Sequence, residues 1–147
     1  MTDRPMIGWR EWVGLPDLGV DWIKAKVDTG AKSSSVHAWD IDVDDGTAVV
    51  RFRLHPLQDD ESIVASATAP LVEHRDVRSS NGEIETRPVI RTSAVVLGHR
   101  YDIELSLSRR DEMGFRMLLG RSALRRRFVV DPSKSFIGGG DRFTRPA

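Results

Sequence analysis

The sequence predicts an all-β fold: a closed or nearly closed barrel with one short helix near its C-terminal end. Short segments in which apolar and polar residues alternate recur along the chain. Turn-forming residues separate these segments about every 8–12 residues, a spacing typical of sandwiches and barrels. Only residues 121–127 have the composition of a helix, and they form a short one at best.

The bulk properties fit one ordinary domain. With 147 residues the chain is long enough to bury its own core, which we place at about residues 6–137, followed by a flexible, glycine-rich tail from Gly138. The 22 Lys and Arg residues balance the 22 Asp and Glu residues, so no net charge attracts nucleic acid or membranes. Cysteine is absent, which excludes disulfides and thiolate ligands.

The N-terminal residues carry no targeting signal that we recognise. Residues 1–5 lack the apolar core of a signal peptide, and no apolar run approaches the ~18 residues that a membrane span needs. We therefore expect a cytoplasmic protein that has no membrane partner.

In the first half of the chain, residues 6–13 have strand-like composition and end at a turn over residues 14–17. Residues 22–28 form the clearest early strand, because apolar and charged residues alternate there with a period of two. The alternating residues are Ile23, Ala25 and Val27 on one face and Lys24, Lys26 and Asp28 on the other. Residues 37–43 and 49–54 then form a hairpin around a turn at residues 44–47.

In the second half, residues 62–69 alternate again and predict a further strand. Residues 70–92 predict a long hairpin, with its turn at Ser79-Ser80-Asn81-Gly82. Pro88 has no N–H to donate, so it confines the returning arm to a sheet edge or a bulge. Residues 101–107 alternate strictly, and residues 128–130 form a last short strand that Asp131-Pro132 ends.

Asp28-Thr29-Gly30 follows directly after a strand. A carboxylate at this position is held rigidly, glycine permits a turn that a Cβ would resist, and the Thr29 hydroxyl can hold the loop by a hydrogen bond. Asp and Gly are also favoured turn residues, so the tripeptide alone is more typical of an ordinary turn.

A second stretch favours the chemical interpretation. Met117-Leu118-Leu119-Gly120-Arg121 lies about 90 residues after Asp28. In this order the two stretches resemble the retropepsins, single-domain aspartic peptidases in which Asp-Thr-Gly-Ala carries the catalytic acid and an apolar-apolar-Gly-Arg segment packs beneath it. The wider pattern resembles the retropepsin-like RimB family, often labelled "ATP-dependent zinc protease". Its matching segments are residues 7–11, 27–38, 87–90 and 118–124.

The resemblance implies an acid-protease β-barrel that works as a homodimer. Aspartic peptidases activate water between two Asp side chains that share one proton. This chain has one Asp-Thr-Gly, so the second carboxylate would be Asp28 of another subunit. On this reading Asp28, Thr29 and Gly30 are the catalytic loop, and the 70–92 hairpin is the flap that covers substrate.

The resemblance also implies an acidic substrate: glutamate chains that an ATP-grasp glutamate ligase adds to a small-subunit ribosomal protein. Lys26 aligns with an apolar pocket residue of retropepsins, and Lys32 aligns with an Asp that grips substrate backbone. Both therefore place positive charge where glutamate side chains would lie. We assign substrate binding to Lys26, Ala31, Lys32 and, on the flap, Arg87, and we assign support of the active-site loop to Gly120 and Arg121.

The residues indicate no metal or nucleotide cofactor. His-Glu-Xaa-Xaa-His and cysteine are both absent, the four histidines are isolated, and no glycine-rich phosphate loop is present. The competing class is a non-catalytic barrel that binds an acidic protein tail or rRNA through the arginines of residues 109–127. Asp111 and Glu112 interrupt that cluster, and no aromatic stacking set accompanies it.

Overall fold

The computed structural model describes residues 4–57, 62–78, 81–109 and 114–139. These residues are mostly β, with one 3-10 turn, Pro16–Leu18, and one short helix, α1. The strands of the described ranges are β1 (Met6–Ile7), β2 (Arg10–Leu15), β3 (Val20–Asp28), β4 (Ser34–His37), β5 (Trp39–Asp44), β6 (Val49–Leu54), β7 (Ala65–Arg78), β8 (Ile84–Val96), β9 (His99–Ser108), β10 (Met117–Gly120) and β11 (Val129–Val130), and α1 is Arg121–Leu124.

Nine strands form one large sheet in the order β2-β3-β10-β4-β9-β8-β7-β6-β5. The sheet curls until β2 also pairs with β8, through Val13 opposite Val96 and Gly14 opposite Val95. This short contact closes a six-strand ring, while β7, β6 and β5 extend beyond it. The predicted all-β, nearly closed barrel with one short helix is therefore confirmed.

The core lies inside the ring, and the period-2 pattern explains why. Along β3, Ile23 and Ala25 are fully buried and Val27 is almost so. The predicted alternation of residues 101–107 is also observed, with Ile103, Leu105 and Leu107 buried on β9. Burying such aliphatic side chains contributes about 1.5–3 kcal/mol each, which fixes the register of every strand around the ring.

The predicted strand at residues 62–69 and the predicted hairpin at residues 70–92 belong to one longer hairpin, β7–β8. β7 begins at Ala65 rather than residue 62, because Ile63 lies exposed outside the sheet. Pro88 pairs with His74 of β7, and β8 has no partner in β9 before Val89. Pro88 therefore occupies the sheet edge that its missing N–H requires. Residues 79 and 80 of the predicted turn lie outside the described ranges.

Two predictions at the C-terminal end need correction. The helix spans only Arg121–Leu124, because Arg125 leaves the helical conformation, with φ −57° and ψ 127°, and Arg126 then adopts a left-handed one, φ 67°. The predicted flexible tail does not begin at Gly138. The N–H groups of Ile137 and Gly138 donate to the buried carboxylate of Glu11 at 3.0 and 3.1 Å, which anchors the chain here. Residues 140–147, the rest of the predicted tail, lie outside the described part of the chain.

No helix in the described ranges is both long enough and apolar enough to cross a membrane.

Candidate active site

β3 delivers Asp28 to the end of a row of charged side chains. Lys24, Lys26 and Asp28 alternate with buried apolar residues, so they project from the same face of the strand. All three are half-buried. The strand ends at Asp28, and the two residues that follow, Thr29 and Gly30, are exposed.

The Asp28 loop is held by its own carboxylate. The Gly30 N–H donates to Asp28 Oδ1 at 3.0 Å, and the Ala31 N–H donates to the Asp28 carbonyl at 3.2 Å. Gly30 does not adopt a left-handed backbone conformation. A Cβ there would lie 3.2 Å from Asp28 Oδ1, which is a close contact with one side-chain atom.

Gly120 and Arg121 lie against this loop. β10 runs parallel to β3 and places Gly120 opposite Asp28. The Arg121 guanidinium donates to the Thr29 carbonyl at 2.9 Å, and the Arg121 backbone N–H donates to the Ala31 carbonyl at 2.8 Å. The Gly120 N–H donates to Ser34 Oγ at 3.0 Å. The end of β10 therefore fixes the loop at several positions.

The cations assigned to substrate binding differ in their position. Lys26 is half-buried on β3, between Arg10 of β2 and Leu118 of β10. Lys32 is exposed on the loop itself, and Ala31 is half-buried beside it. The structure thus brings Lys26, Ala31 and Lys32 to the same end of the sheet as Asp28.

Arg87 has a different environment from the one we expected. It is only 4% exposed, and its Nε donates to Glu85 Oε1 at 2.6 Å. Burial raises the pKa of Glu85, but the hydrogen bond and charge of Arg87, the Arg109 N–H and the Ser108 hydroxyl outweigh this and hold the pKa below its usual value. The geometry gives Arg87 a structural partner in the hairpin, and substrate binding by Arg87 stays a prediction.

Arg75 of the β7–β8 hairpin contacts the segment that follows the Asp28 loop. Its guanidinium donates to Ser33 Oγ at 3.1 Å, and it also pairs with Glu73 and with Glu104. Sequence reasoning missed this residue, because the contact joins positions 42 residues apart and depends on how the ring closes.

Sequence reasoning also missed a set of aromatic and basic side chains that lies beside Lys26 and includes Lys24. We call it the cation–aromatic face, and it consists of Trp9, Arg10, Trp12, Lys24, Phe115 and Phe136. A signal for part of it was available, since Trp9, Arg10 and Trp12 precede β3 in a predicted strand that must pair with it. Phe115 and Phe136 come from distant segments that only the fold brings here.

Among the described residues no three His, Cys, Asp or Glu side chains cluster closely enough to hold a metal ion. His55 stacks on Trp39 at 4.1 Å between ring centroids, and His37 lies 3.3 Å from an Arg116 nitrogen. The acidic group at the loop is a single carboxylate, that of Asp28, which is partly accessible and has cations on either side of it in the chain.

Comparison with known proteins agrees with this geometry. Residues 6–140 match the family described as RimB-like, the retropepsin-like aspartic endopeptidase RimB. A crystal structure of Lpg0085, a protein of unknown function from Legionella pneumophila, superposes with a TM-score of 0.72 at 26% identity. That comparison covers 91% of this chain and 98% of the other.

Curated relatives carry a different name. The chain is 46% identical over 142 residues to a probable alpha-L-glutamate ligase of Shewanella halifaxensis, and 46% identical over 132 residues to one of Desulfotalea psychrophila. The alignments cover 95% and 88% of this chain but 31% and 28% of the relatives. The chain thus spans less than a third of the length of these relatives.

Proposed function

The chain belongs to the RimB-like family of retropepsin-like aspartic endopeptidases, and from this membership we propose that it acts as a homodimer that hydrolyses peptide bonds in glutamate-rich chains. The observation that carries the proposal is the setting of Asp28. This carboxylate stands at the end of a buried strand, half-exposed, with its loop braced from beneath by Gly120 and Arg121.

The reaction requires two such carboxylates. One Asp28 accepts a proton from water as the water oxygen attacks the amide carbon, and the Asp28 of the second subunit, protonated, donates to the amide oxygen. A proton then passes to the amide nitrogen as the C–N bond breaks. Two carboxylates about 3 Å apart cannot both ionise readily, which leaves one proton shared between them. The exposed Thr29 and Gly30 support a second copy packing at this loop.

The charges around Asp28 support an acidic substrate. Lys26 shares the strand face of Asp28, and Lys32 follows it on the loop. A substrate carboxylate that is desolvated against such a cation gains about 1.5–3 kcal/mol from a charge-assisted hydrogen bond. It also neutralises the cation, which otherwise favours an ionised Asp28 and opposes proton sharing.

The relatives named probable alpha-L-glutamate ligase support the same substrate class. In them a region like this chain occupies less than a third of a longer protein, so synthesis and hydrolysis of glutamate chains would reside in one polypeptide. We propose that this domain trims glutamate chains that an ATP-grasp glutamate ligase attaches to a ribosomal protein.

Mass spectrometry of a poly-α-glutamate chain, free or attached to protein, tests the proposal. The wild type is expected to shorten the chain, and a folded Asp28→Asn variant is expected to leave it intact. If both leave it intact while sedimentation shows a dimer, the glutamate specificity is wrong. If sedimentation shows only monomer, the shared-carboxylate mechanism is wrong.

A further inference from the structure

The cation–aromatic face places a second set of positive charges beside the proposed cleavage site. Arg10 lies directly opposite Lys26 in the β2–β3 pair, and Trp12 lies directly opposite Lys24. Directly opposed residues share a face of the sheet, so Arg10, Lys24 and Lys26 all project on the side of Asp28. Two residues along a strand span about 6.6 Å, which sets the separation between successive positions in this row.

Arg10 is held in place by two rings. Its guanidinium carbon lies 4.6 Å from the centroid of Trp9 and 4.8 Å from that of Phe136. Phe136 adopts a left-handed backbone conformation, φ 52°, that an aromatic residue rarely takes, and its N–H donates to the Arg10 carbonyl at 2.9 Å. The chain thus tolerates local strain at Phe136 where its ring covers Arg10.

Lys24 is oriented in a similar way. Its Nζ lies 5.2 Å from the centroid of Phe115, and Phe115 packs edge-on against Trp9 at 5.9 Å. Cation–π contacts of this kind contribute about 0.5–2 kcal/mol and leave the remaining N–H groups of the cation available to an anion.

These two cations have no anionic partner in the described part of the chain. No carboxylate there forms an ion pair with Arg10 or Lys24, and the buried Nε of Arg10 has no hydrogen-bond acceptor. Arg10 lies opposite Lys26 across the strand pair. An anionic ligand would supply Arg10 and Lys24 with the counter-charge that the described residues do not.

We propose that Arg10 and Lys24 form a second carboxylate-binding subsite, which takes a glutamate side chain of the substrate next to the one at Lys26. An extended α-glutamate chain presents alternate carboxylates about 6.6 Å apart, the same repeat as the cations along the strand. The subsite rests on the proposed function, and it makes long acidic chains better substrates than short ones.

Steady-state kinetics on a short and a long poly-α-glutamate chain test the subsite, with Arg10→Gln, Arg10→Lys and Lys24→Gln as variants. Loss of one charge-assisted contact is expected to raise KM for the long chain about 10–150-fold, and to raise KM for the short chain much less. Arg10→Lys keeps the charge without the planar fork and is expected to fall between the wild type and Arg10→Gln. Arg51→Gln, which removes one exposed cation from β6, is the charge-matched control.

Calorimetric titration of the Asp28→Asn protein with the long chain measures binding without turnover, so it tests the subsite separately from the proposed function. In that background, adding Arg10→Gln or Lys24→Gln is expected to raise the dissociation constant of the long chain by the same factor as it raises KM. Adding Arg51→Gln is expected to leave the dissociation constant unchanged. Weakened binding together with absent turnover in the wild type would support the subsite and overturn the peptidase. Equal effects of Lys24→Gln, Arg10→Gln and Arg51→Gln on folded protein would overturn the subsite.

Discussion

Gly120 lies directly opposite Asp28 in the parallel β3–β10 pair, at a point where the chain has no room for a side chain. A Cβ on Gly120 would lie 2.4 Å from the carbonyl oxygen of Ser33, and 2.5 Å from its carbon. The obstructing atoms belong to the backbone of the segment that leaves the Asp28 loop. Glycine at this position therefore allows β10 to pack closely against the segment that follows the Asp28 loop.

Gly120→Ala is accordingly expected to destabilise the fold by about 1–3 kcal/mol, as overpacking of a close-packed site does. It should also reduce the proposed peptidase activity in the protein that remains folded, because the Ser33 backbone must shift. Chemical denaturation gives the free energy of unfolding. Gly46→Ala is the control, since a Cβ there would meet only Asp44 Oδ1 at 3.3 Å. Equal destabilisation by the two substitutions would contradict the argument.

Much of the fold and of the candidate site could be predicted from the strand pattern and the order of the motifs. Period-2 alternation locates β3, β6 and β9 because each strand buries one face against the core. Pro88 has no N–H, so its presence indicates a position at the sheet edge. The placement of Gly120 and Arg121 beneath the Asp28 loop followed from their resemblance to a known motif. Local sequence carries these signals.

Contacts between distant segments could not be predicted in this way. Arg75 reaches Ser33, and Phe136 covers Arg10, only because the sheet curls and the C-terminal segment folds back on Glu11. Arg87 looked available on an exposed hairpin, yet its neighbour Glu85 on the same strand draws it into a buried pair. Such pairings depend on side-chain direction within the closed ring, which charge spacing alone does not specify.

Arg121 acts on the loop through its hydrogen bond to the Thr29 carbonyl, so we expect it to be a positioning residue. Arg121→Gln should reduce kcat about 10–100-fold, since small displacements of a reacting group have effects of this size. Its exposed side chain implies a loss of stability within about 1 kcal/mol. Arg121→Lys should recover part of kcat. Arg125→Gln, another exposed arginine just beyond the helix, is the control and should leave kcat unchanged.

The Glu85–Arg87 pair is expected to make stability depend on pH in the acid range. The pKa of Glu85 is lowered in the folded state, so the pair stabilises the protein above the ordinary value of 4.5 and the stabilisation is lost as pH falls below it. Glu85→Gln should reduce the free energy of unfolding by about 1–3 kcal/mol at pH 7, because buried Arg87 loses its charged partner. The difference between wild type and variant should shrink between pH 5 and pH 3. A difference that stays constant over that range would show that this pair does not titrate with folding.

Tyr101 should give the opposite dependence at alkaline pH. Burial raises its pKa to about 12, although the charge of Arg127 acts to lower it. Arg127 lies over the ring at 3.9 Å, and the hydroxyl donates to the Ala123 carbonyl at 2.7 Å. An unfolded chain ionises Tyr101 near pH 10, so its contribution to stability is complete below that pH and declines as pH rises toward 12. Tyr101→Phe removes the hydrogen bond, which makes the variant less stable by about 0.5–1.5 kcal/mol at pH 8. Urea unfolding at pH 8, 10 and 11 should show the gap between wild type and variant closing as pH rises, because only the wild type loses stability through this group. A gap that widens toward pH 11 would mean that the phenolate is favoured in the folded protein, and that Arg127 outweighs burial.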